Sequence, residues 1–312
     1  MSRWRNLCFE FQAMASPCSV QIDGTDETLM RRAATDAIAE VRRIERKFSR
    51  YLDDSVISRI NRSAGCDAVA IDTETHCLLD FAAQLHALSG GLFDITSGVL
   101  RHAWDFKNAR MPEPAKLNGL LAHVGWQRVE RSGHQVRLPQ VGMELDFGGF
   151  GKEYAADRAA ATLHEHGIGH ALVNLGGDLH ALGDRGLPEL QGNAWQVTIQ
   201  HPRPEVTQPA APLALLALKR GGLATSGDYE RFFMHDGQRY CHILDPRTGW
   251  PISHWQSISV LAANTTSAGA LSTIAMLKGQ DGLAWLDSQG ESYLAVQPDG
   301  KLRQKNVAVV TS

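Results

Sequence analysis

Hydrophobic positions recur with a helical period in two long stretches near the N-terminus. Between Leu29 and Phe48, apolar residues return every three or four positions, which is one face of an α-helix. Asp26 stands before this stretch as an N-cap, so the pattern predicts a helix over residues 26–47. The same period predicts a helix over residues 73–88, which ends at Gly90-Gly91.

Short apolar or alternating runs predict strands in the rest of the chain. They cover residues 7–22 (two strands separated near Pro17), 171–175, 195–200, 213–218, 231–235, 240–244 and 257–262. Helices are predicted over residues 152–166, 267–278 and 283–288, and a closing hairpin over 290–309. Because strands come in runs instead of alternating with helices, the order predicts an α+β fold with mostly antiparallel sheet.

One stretch, residues 144–178, combines a short predicted strand, a glycine-rich turn, a helix and a second strand. Gly148, Gly149 and Gly151 let the backbone approach a ligand closely and direct free N–H groups at an anion. Neither a dinucleotide-binding fingerprint nor a P-loop is present in it. The pattern alone leaves two interpretations open, a ligand-binding turn or a packing device.

Composition and charge are those of an ordinary globular protein. The chain has 312 residues, 43% hydrophobic and 21% charged, with a net charge of −3, which gives no reason to expect nucleic-acid binding. Five cysteines without a C-x-x-C spacing favour unpaired thiols in a reducing compartment. No apolar run suits a signal peptide or a membrane span, so the sequence predicts a cytoplasmic protein.

The strongest local signals lie between residues 222 and 251. Thr225-Ser226-Gly227 is predicted as a turn whose hydroxyl and N–H groups suit phosphate oxygens. Downstream, Asp245-Pro246-Arg247-Thr248-Gly249 predicts a second turn that carries a guanidinium. His242 lies three residues before Asp245, where it could act as a general base. Such a sequence is also typical of a well-capped turn without a function.

Seven motifs, in this order along the chain, resemble those of the FAD:protein FMN transferases, the ApbE family. They are Met14-Ala15-Ser16, Phe48-Ser49-Arg50-Tyr51 with Asp54-Ser55, Gly91-Leu92-Phe93-Asp94-Ile95-Thr96, Leu145-Asp146-Phe147-Gly148 with Gly151-Lys152, Val173-Asn174-Leu175-Gly176-Gly177-Asp178, Thr225-Ser226-Gly227-Asp228-Tyr229 and His242-Ile243-Leu244-Asp245-Pro246-Arg247-Thr248-Gly249. The resemblance covers residues 14–279. It implies one ApbE-like (T-fold-like) unit over 1–312, with antiparallel sheets flanked by helices and a flavin cleft between them.

The resemblance also implies an activity. Such enzymes split FAD and join its FMN half through a phosphoester to a Thr or Ser hydroxyl of an acceptor flavoprotein or flavin-carrying domain. AMP leaves, and Mg²⁺ assists. The positions that match the family's FAD contacts are Met14, Tyr51, Leu92, Phe93, Asp94, Asp146, Lys152 and Leu244. Apolar and aromatic groups suit the flavin ring, and the two aspartates suit ring or ribose donors. His242 matches the residue that helps to deprotonate the acceptor hydroxyl.

The chain departs from the family at the metal site. The family stretch Ala-Asp-Ala-x-[Ala/Ser]-Thr is here Ala-Gly-Ala-Leu-Ser-Thr, so Thr273 is kept and the aspartate has become Gly269. Gly149 matches the family position that contacts the metal from the glycine turn, and Glu153 stands where the family usually has glycine. We hypothesise that Glu153 supplies the missing carboxylate across space. The alternative is a solvent-facing acid that the helix dipole favours.

Three functions stay open at this point. The first is an active FMN transferase, favoured by His242, Asp245, Thr248 and Thr273. The second is a flavin-binding relative with weak or no transferase activity, favoured by Gly269. The third is slow hydrolysis of FAD to FMN and AMP.

Overall fold

A computed structural model describes residues 3–190, 192–203 and 212–307. One eight-stranded sheet forms its centre, and every neighbouring pair of strands with a defined register is antiparallel. In spatial order its strands are β1 (Arg5–Ala13), β2 (Ser16–Gly24), β6 (Ala171–Leu175), β7 (Asp178–Leu182), β10 (Gly221–Gly227), β13 (Ser257–Ala262), β14 (Ser292–Val296) and β15 (Leu302–Lys305).

Three small antiparallel sheets accompany the central one. They are β3 (Val69–Ala70) with β5 (Gln135–Arg137) and β4 (Glu130–Ser132), β8 (Trp195–Ile199) with β9 (Ala214–Leu218), and β11 (Phe232–His235) with β12 (Gln238–Cys241). The predicted α+β class with mostly antiparallel sheet is therefore confirmed. The predicted closing hairpin is present as β14 and β15, although its last residues, 308 and 309, lie outside the described part of the chain.

Seven α-helices complete the described fold. They are α1 (Glu27–Phe48), α2 (Val56–Arg62), α3 (Thr73–Ser89), α4 (Pro114–Leu121), α5 (Gly151–Glu165), α6 (Thr265–Leu277) and α7 (Gly282–Gln289). The sequence predicted α1, α3, α5, α6 and α7 to within two residues at both ends. In α4, Pro114 occupies the first turn, where its missing N–H costs no helical hydrogen bond. Within this described part, no helix is both long enough and apolar enough to span a membrane.

The position of α5 follows from its small buried side chains. Ala155, Ala156, Ala159 and Ala160 are almost fully buried, and they belong to the same core cluster as the apolar face of α1. Methyl groups let two helix backbones approach closely, whereas larger side chains would keep them apart. α5 consequently lies between α1 and α6, with its N-terminus near the β6–β7 turn.

Three predicted elements differ from the structure. Residues 144–147 form no strand, because the amide and carbonyl of Leu145 are bonded to the Asn61 side chain instead of a neighbouring strand. Thr225-Ser226-Gly227 is not a turn but the end of β10, since these residues pair with Ser257 to Ser259 of β13. The strand predicted over 240–244 ends at Cys241.

The β1–β2 hairpin contains a strained residue and yields a stability prediction. Met14 and Ala15 form its two-residue turn with φ of 51° and 56°, a left-handed conformation that disfavours side chains with a Cβ. We expect Ala15→Gly to raise the free energy of unfolding by about 0.5–1 kcal/mol, because relief of strain exceeds the entropy that glycine adds to the unfolded chain. Urea unfolding measures the change.

Ala68→Gly is the matched control for this turn variant. Ala68 is also exposed but has no positive φ, so glycine there should lower the stability. Equal effects of the two substitutions would contradict the assignment of strain to Ala15.

Candidate active site

A buried ion pair joins the start of α5 to the β6–β7 turn. Gly176 and Gly177 both have positive φ, and this tight turn brings Asp178 back towards the helix. Lys152 Nζ lies 2.8 Å from Asp178 Oδ2 and 3.4 Å from the Gly176 carbonyl oxygen. Burial acts to lower the pKa of Lys152, but the negative charges of Asp178 and Glu153 outweigh it and raise that pKa. The lysine therefore stays charged at neutral pH.

Glu153, the next residue of α5, points at Gly269 of α6. A Cβ atom on Gly269 would lie 2.6 Å from both Cγ and Oε1 of Glu153. The other carboxylate oxygen, Oε2, is buried and has no hydrogen-bond partner within the described residues. Burial first, and then the charge of Asp178, raise the pKa of Glu153 to about 8. Glu153 is half-buried as a whole and its Oε2 does not face solvent, which contradicts the alternative interpretation of this residue.

Hydroxyl groups from β10 and α6 lie beside Gly269. Ser226 Oγ is 2.8 Å from Ser272 Oγ and 2.8 Å from Thr273 Oγ1. Ser272 also donates to the carbonyl oxygen of Gly269, at 2.9 Å. Ser226 is held in place by the pairing of β10 with β13, so backbone pairing fixes one side of the site. Oxygen atoms of two elements thus meet where Glu153 reaches α6.

His242 follows directly after the end of β12. Its backbone N–H donates to the Arg231 carbonyl oxygen at 3.0 Å, and its ring Nδ1 is buried without a hydrogen-bond partner in the described chain. Burial, and then the positive charges of Arg231 and Lys152, lower the pKa of His242 to about 4. The imidazole is therefore neutral at neutral pH and has a free nitrogen to accept a proton.

Phe93 and Asp94 order the loop after α3. The Phe93 ring lies so close to Gly149 that a Cβ there would be 2.8 Å from its Cζ atom. Asp94 is 8% exposed and accepts hydrogen bonds from Thr96 N, Thr96 Oγ1 and Trp126 N. A carboxylate has about four acceptor positions. Asp94 thus holds the loop with three of them, and its predicted contact with FAD stays a prediction.

Asp146 holds the glycine turn and an arginine. Its Oδ1 accepts from the N–H of Gly148 at 2.8 Å, and its Oδ2 pairs with the guanidinium of Arg50. Arg50 also donates to the Tyr51 hydroxyl at 2.7 Å and lies 4.7 Å from the centre of that ring. Tyr51 is 74% exposed, so its free ring face can pack on a planar ligand.

The remaining predicted contacts are apolar. Met14 lies in the β1–β2 turn, half-buried, and its N–H donates to Glu45 Oε1 at 2.6 Å. Leu92 is buried, and Leu244 packs with an aromatic cluster near the Asp245–Gly249 turn. Of the residues predicted at the metal, Gly149 packs against the Phe93 ring, Glu153 lies against Gly269, and Thr273 bonds to Ser226.

Three residues of this site were missed as individual candidates. Asp178 closes the Gly-Gly motif, and an acid after a tight glycine turn was a signal that could have marked it. Arg50 stands within a quoted motif, but only the structure shows its bonds to Asp146 and Tyr51. Ser226 carried no usable signal, because its partners lie on a helix distant in sequence.

Comparison with known proteins matches this chain to one family. The sequence model of the ApbE family matches residues 14–296. The FAD:protein FMN transferase of Treponema pallidum is 34% identical over 275 residues, which cover 83% of this chain and 75% of that protein. The one from Haemophilus influenzae is 30% identical over 271 residues, covering 83% and 76%.

Solved structures give the same result at the level of the fold. The crystal structure of the ApbE protein from Thermotoga maritima superimposes with a TM-score of 0.85, at 30% identity, and covers 97% of each chain. The flavinyl transferase ApbE of Pseudomonas stutzeri superimposes with a TM-score of 0.84 at 27% identity, covering 97% of this chain and 96% of its own. The protein described here belongs to the ApbE family.

Proposed function

We propose that the protein is an FAD:protein FMN transferase. It splits FAD and joins the FMN half through a phosphoester to a Thr or Ser hydroxyl of an acceptor flavoprotein, with release of AMP. The observation that carries the proposal is the convergence of Lys152, Glu153 and Asp178 with the hydroxyls of Ser226 and Thr273. A lysine and a row of hydroxyl groups at a helix N-terminus, together with carboxylates that suit a divalent cation, fit a diphosphate.

The proposed transfer needs a proton acceptor, and His242 suits that role. The acceptor hydroxyl oxygen attacks the phosphorus of the FMN half while the bond from that phosphorus to the bridging oxygen breaks. AMP leaves with the bonding electrons, and the hydroxyl proton passes to a ring nitrogen of His242. Because His242 is neutral at neutral pH, it can take this proton without first losing one.

FAD binding is assigned to the residues around the glycine turn. The exposed ring of Tyr51, with Met14, Leu92, Phe93 and Leu244 as further predicted contacts, would hold the flavin. Lys152 and the N-terminal end of α5 would face the diphosphate. Asp146 holds Gly148 and Arg50 in place, which shapes the turn that the ligand meets.

The proposed site would offer a divalent cation only a few acidic side chains. The described residues contain no group of three or more His, Cys, Asp or Glu side chains placed to hold a metal. Mg²⁺ is usually held by one or two carboxylates together with substrate phosphates and water. The residues that would hold it are Glu153, whose Oε2 is buried and unpartnered, the Thr273 hydroxyl and Gly149 of the turn. It would neutralise the charge of the phosphates.

Two broader predictions belong to this proposal. A central sheet whose strands run from residue 5 to residue 305 supports a single unit over 1–312. All five cysteines are free thiols, which supports the predicted reducing compartment, the cytoplasm.

A single incubation tests the proposed function. The protein is mixed with FAD, Mg²⁺ and an acceptor flavoprotein domain, and a domain with its target Thr or Ser changed to Ala is the control. We expect flavin that stays on the acceptor after acid denaturation, an equal amount of AMP and no labelling of the control domain. AMP with free FMN would indicate a hydrolase, and unchanged FAD would indicate a flavin-binding protein; either result contradicts the proposal.

A further inference from the structure

The carboxylate of Glu153 and the missing side chain of Gly269 occupy one shared space between α5 and α6. A Cβ at position 269 would lie 2.6 Å from Cγ and Oε1 of Glu153 and 2.8 Å from its Cδ. A Cβ atom essentially never lies this close to another atom, so the Glu153 side chain would have to move. Glu153 can therefore lie in its observed position only because residue 269 is glycine.

Within the described chain, the surroundings leave one oxygen of this carboxylate without a partner. Lys152, the preceding residue, pairs at 2.8 Å with Asp178, whose negative charge also acts on Glu153. Asp157, a further acid that acts on Glu153, is engaged with His180 and the first residues of α6. Oε2 of Glu153 is buried and has no hydrogen-bond donor in the described structure. A buried carboxylate is costly unless a cation pairs with it.

Hydroxyl oxygens lie close to Gly269, the residue that Glu153 contacts. Thr273 lies one helical turn after Gly269 on α6. The distance from Thr273 Oγ1 to Ser226 Oγ is 2.8 Å. Hydroxyl and carboxylate oxygens are ligands of hard divalent cations such as Mg²⁺, whereas softer metals prefer nitrogen or sulfur. In the described structure, an unpartnered carboxylate oxygen of α5 and hydroxyl oxygens of α6 and β10 thus lie around Gly269.

We propose that Glu153 is the carboxylate ligand of a divalent cation, and that α5 supplies this ligand from the space left by Gly269 of α6. The carboxylate and the glycine form an exchangeable pair: an aspartate at position 269, with glycine at position 153, places a carboxylate in the same space from the opposite helix. The inference rests on the proposed function, since the diphosphate of FAD supplies further oxygens to the cation.

Binding of Mg²⁺ to the FAD complex, measured by calorimetry, tests the inference without any transfer reaction. We expect Glu153→Gln, which keeps the shape and removes the charge, to weaken Mg²⁺ binding by about tenfold or more. FAD affinity without Mg²⁺ should stay close to that of the wild type. The matched control is Glu165→Gln, a change of an exposed acid in the last turn of the same helix, which should bind Mg²⁺ normally.

The decisive variant is the exchange of both residues, E153G/G269D. Gly269→Asp alone places two side chains in one space and is expected to lower the melting temperature. The exchange removes this clash and should bind Mg²⁺ at least about tenfold more tightly than Glu153→Gln, in a protein that binds FAD. Circular dichroism and thermal melting verify that each variant is folded before the titration.

Three results would overturn the inference: no Mg²⁺ binding by the wild-type FAD complex, wild-type Mg²⁺ affinity in Glu153→Gln, or a folded exchange variant that binds no better than Glu153→Gln. Failure of the proposed function looks different. A wild-type protein that binds Mg²⁺ through Glu153 but transfers no flavin would disprove the transferase and leave the cation ligand in place.

Discussion

Replacement of His242 by asparagine is expected to lower the rate of flavin transfer by about 10²–10⁴-fold, which is the usual contribution of a general base. Asparagine keeps a polar side chain but cannot accept the proton of the acceptor hydroxyl. FAD affinity should stay nearly unchanged, because the His242 side chain is not one of the proposed flavin or diphosphate contacts. Single-turnover transfer to an acceptor domain and titration of flavin fluorescence measure the two quantities separately.

The pH profile gives an independent measurement of the same residue. Burial and the neighbouring charges hold the pKa of His242 at about 4, so the base is already deprotonated well below pH 6.5. The pH dependence of kcat/KM reports the pKa values of the free enzyme. The midpoint of its acid limb should therefore lie below the pKa of an ordinary histidine, about 6.5. An acid limb near pH 6.5 would contradict the buried, neutral state of this imidazole.

The control for this variant is His164→Asn, since His164 is an exposed residue in the last turn of α5. It should transfer flavin at the wild-type rate. If His242→Asn also kept the wild-type rate while the acceptor was still labelled, another group would have to accept the proton, and the role of His242 would be disproved.

Asp157→Ala is expected to lower the free energy of unfolding by about 3 kcal/mol, because several charge-assisted hydrogen bonds are lost and their donors stay partly buried. The Asp157 carboxylate accepts from the backbone N–H groups of Thr265 and Thr266, each at 2.8 Å, at the start of α6. It also lies 2.7 Å from His180 Nδ1. Denaturant unfolding measures the loss.

The same substitution should also affect ligand binding. Asp157 ties α5 to the N-terminus of α6, and α6 carries Gly269 and Thr273. When this connection is removed, the two sides of the proposed cation site lose their fixed separation. We therefore expect weaker Mg²⁺ binding in the FAD complex in addition to lower stability.

The stability effect of Asp157 has a defined pH dependence. Burial alone would raise the pKa of this carboxyl, but hydrogen bonds from His180 and Thr266 outweigh it and lower that pKa. A carboxylate with a lowered folded-state pKa contributes stability above its unfolded pKa, about 4, and loses that contribution as the pH falls further. The difference between wild type and Asp157→Ala should therefore shrink below about pH 4.

Asp53→Ala is the control, because the Asp53 side chain is fully exposed and its ion pair with Arg62 is long, at 3.7 Å. It should change the stability by less than about 0.5 kcal/mol. A similar small effect of Asp157→Ala would show that the bonds to α6 are not a major source of stability.

Local periodicity predicted most of the secondary structure. The apolar face of α1, the Asp26 and Asp72 caps and the glycine that ends α3 are properties of neighbouring residues, so they can be read directly from the sequence. The run of strands likewise predicted an antiparallel α+β fold. Prediction failed at Thr225-Ser226-Gly227, where turn-forming residues belong to β10, because pairing with β13 overrides local preference.

The order of seven short motifs determined the family, since each motif is a local sequence and their order is kept along the chain. The motifs also located the start of α5 and the turn before it. What they could not give is the environment of single side chains. Asp94 lies in a motif that predicts a ligand contact, but its carboxylate already accepts three hydrogen bonds from Thr96 and Trp126.

For Glu153, the sequence alone determined that an acid replaces a usual glycine and that an aspartate is absent at Gly269. Only the tertiary structure showed that the Glu153 side chain occupies the space beside Gly269. The packing of α5 against α6 brings residues that are distant in sequence within van der Waals distance, and no local pattern records that approach. The solvent-facing alternative is wrong because α6 packs over this position and buries Glu153 Oε2. The spacing of apolar residues within α5 does not reveal that contact.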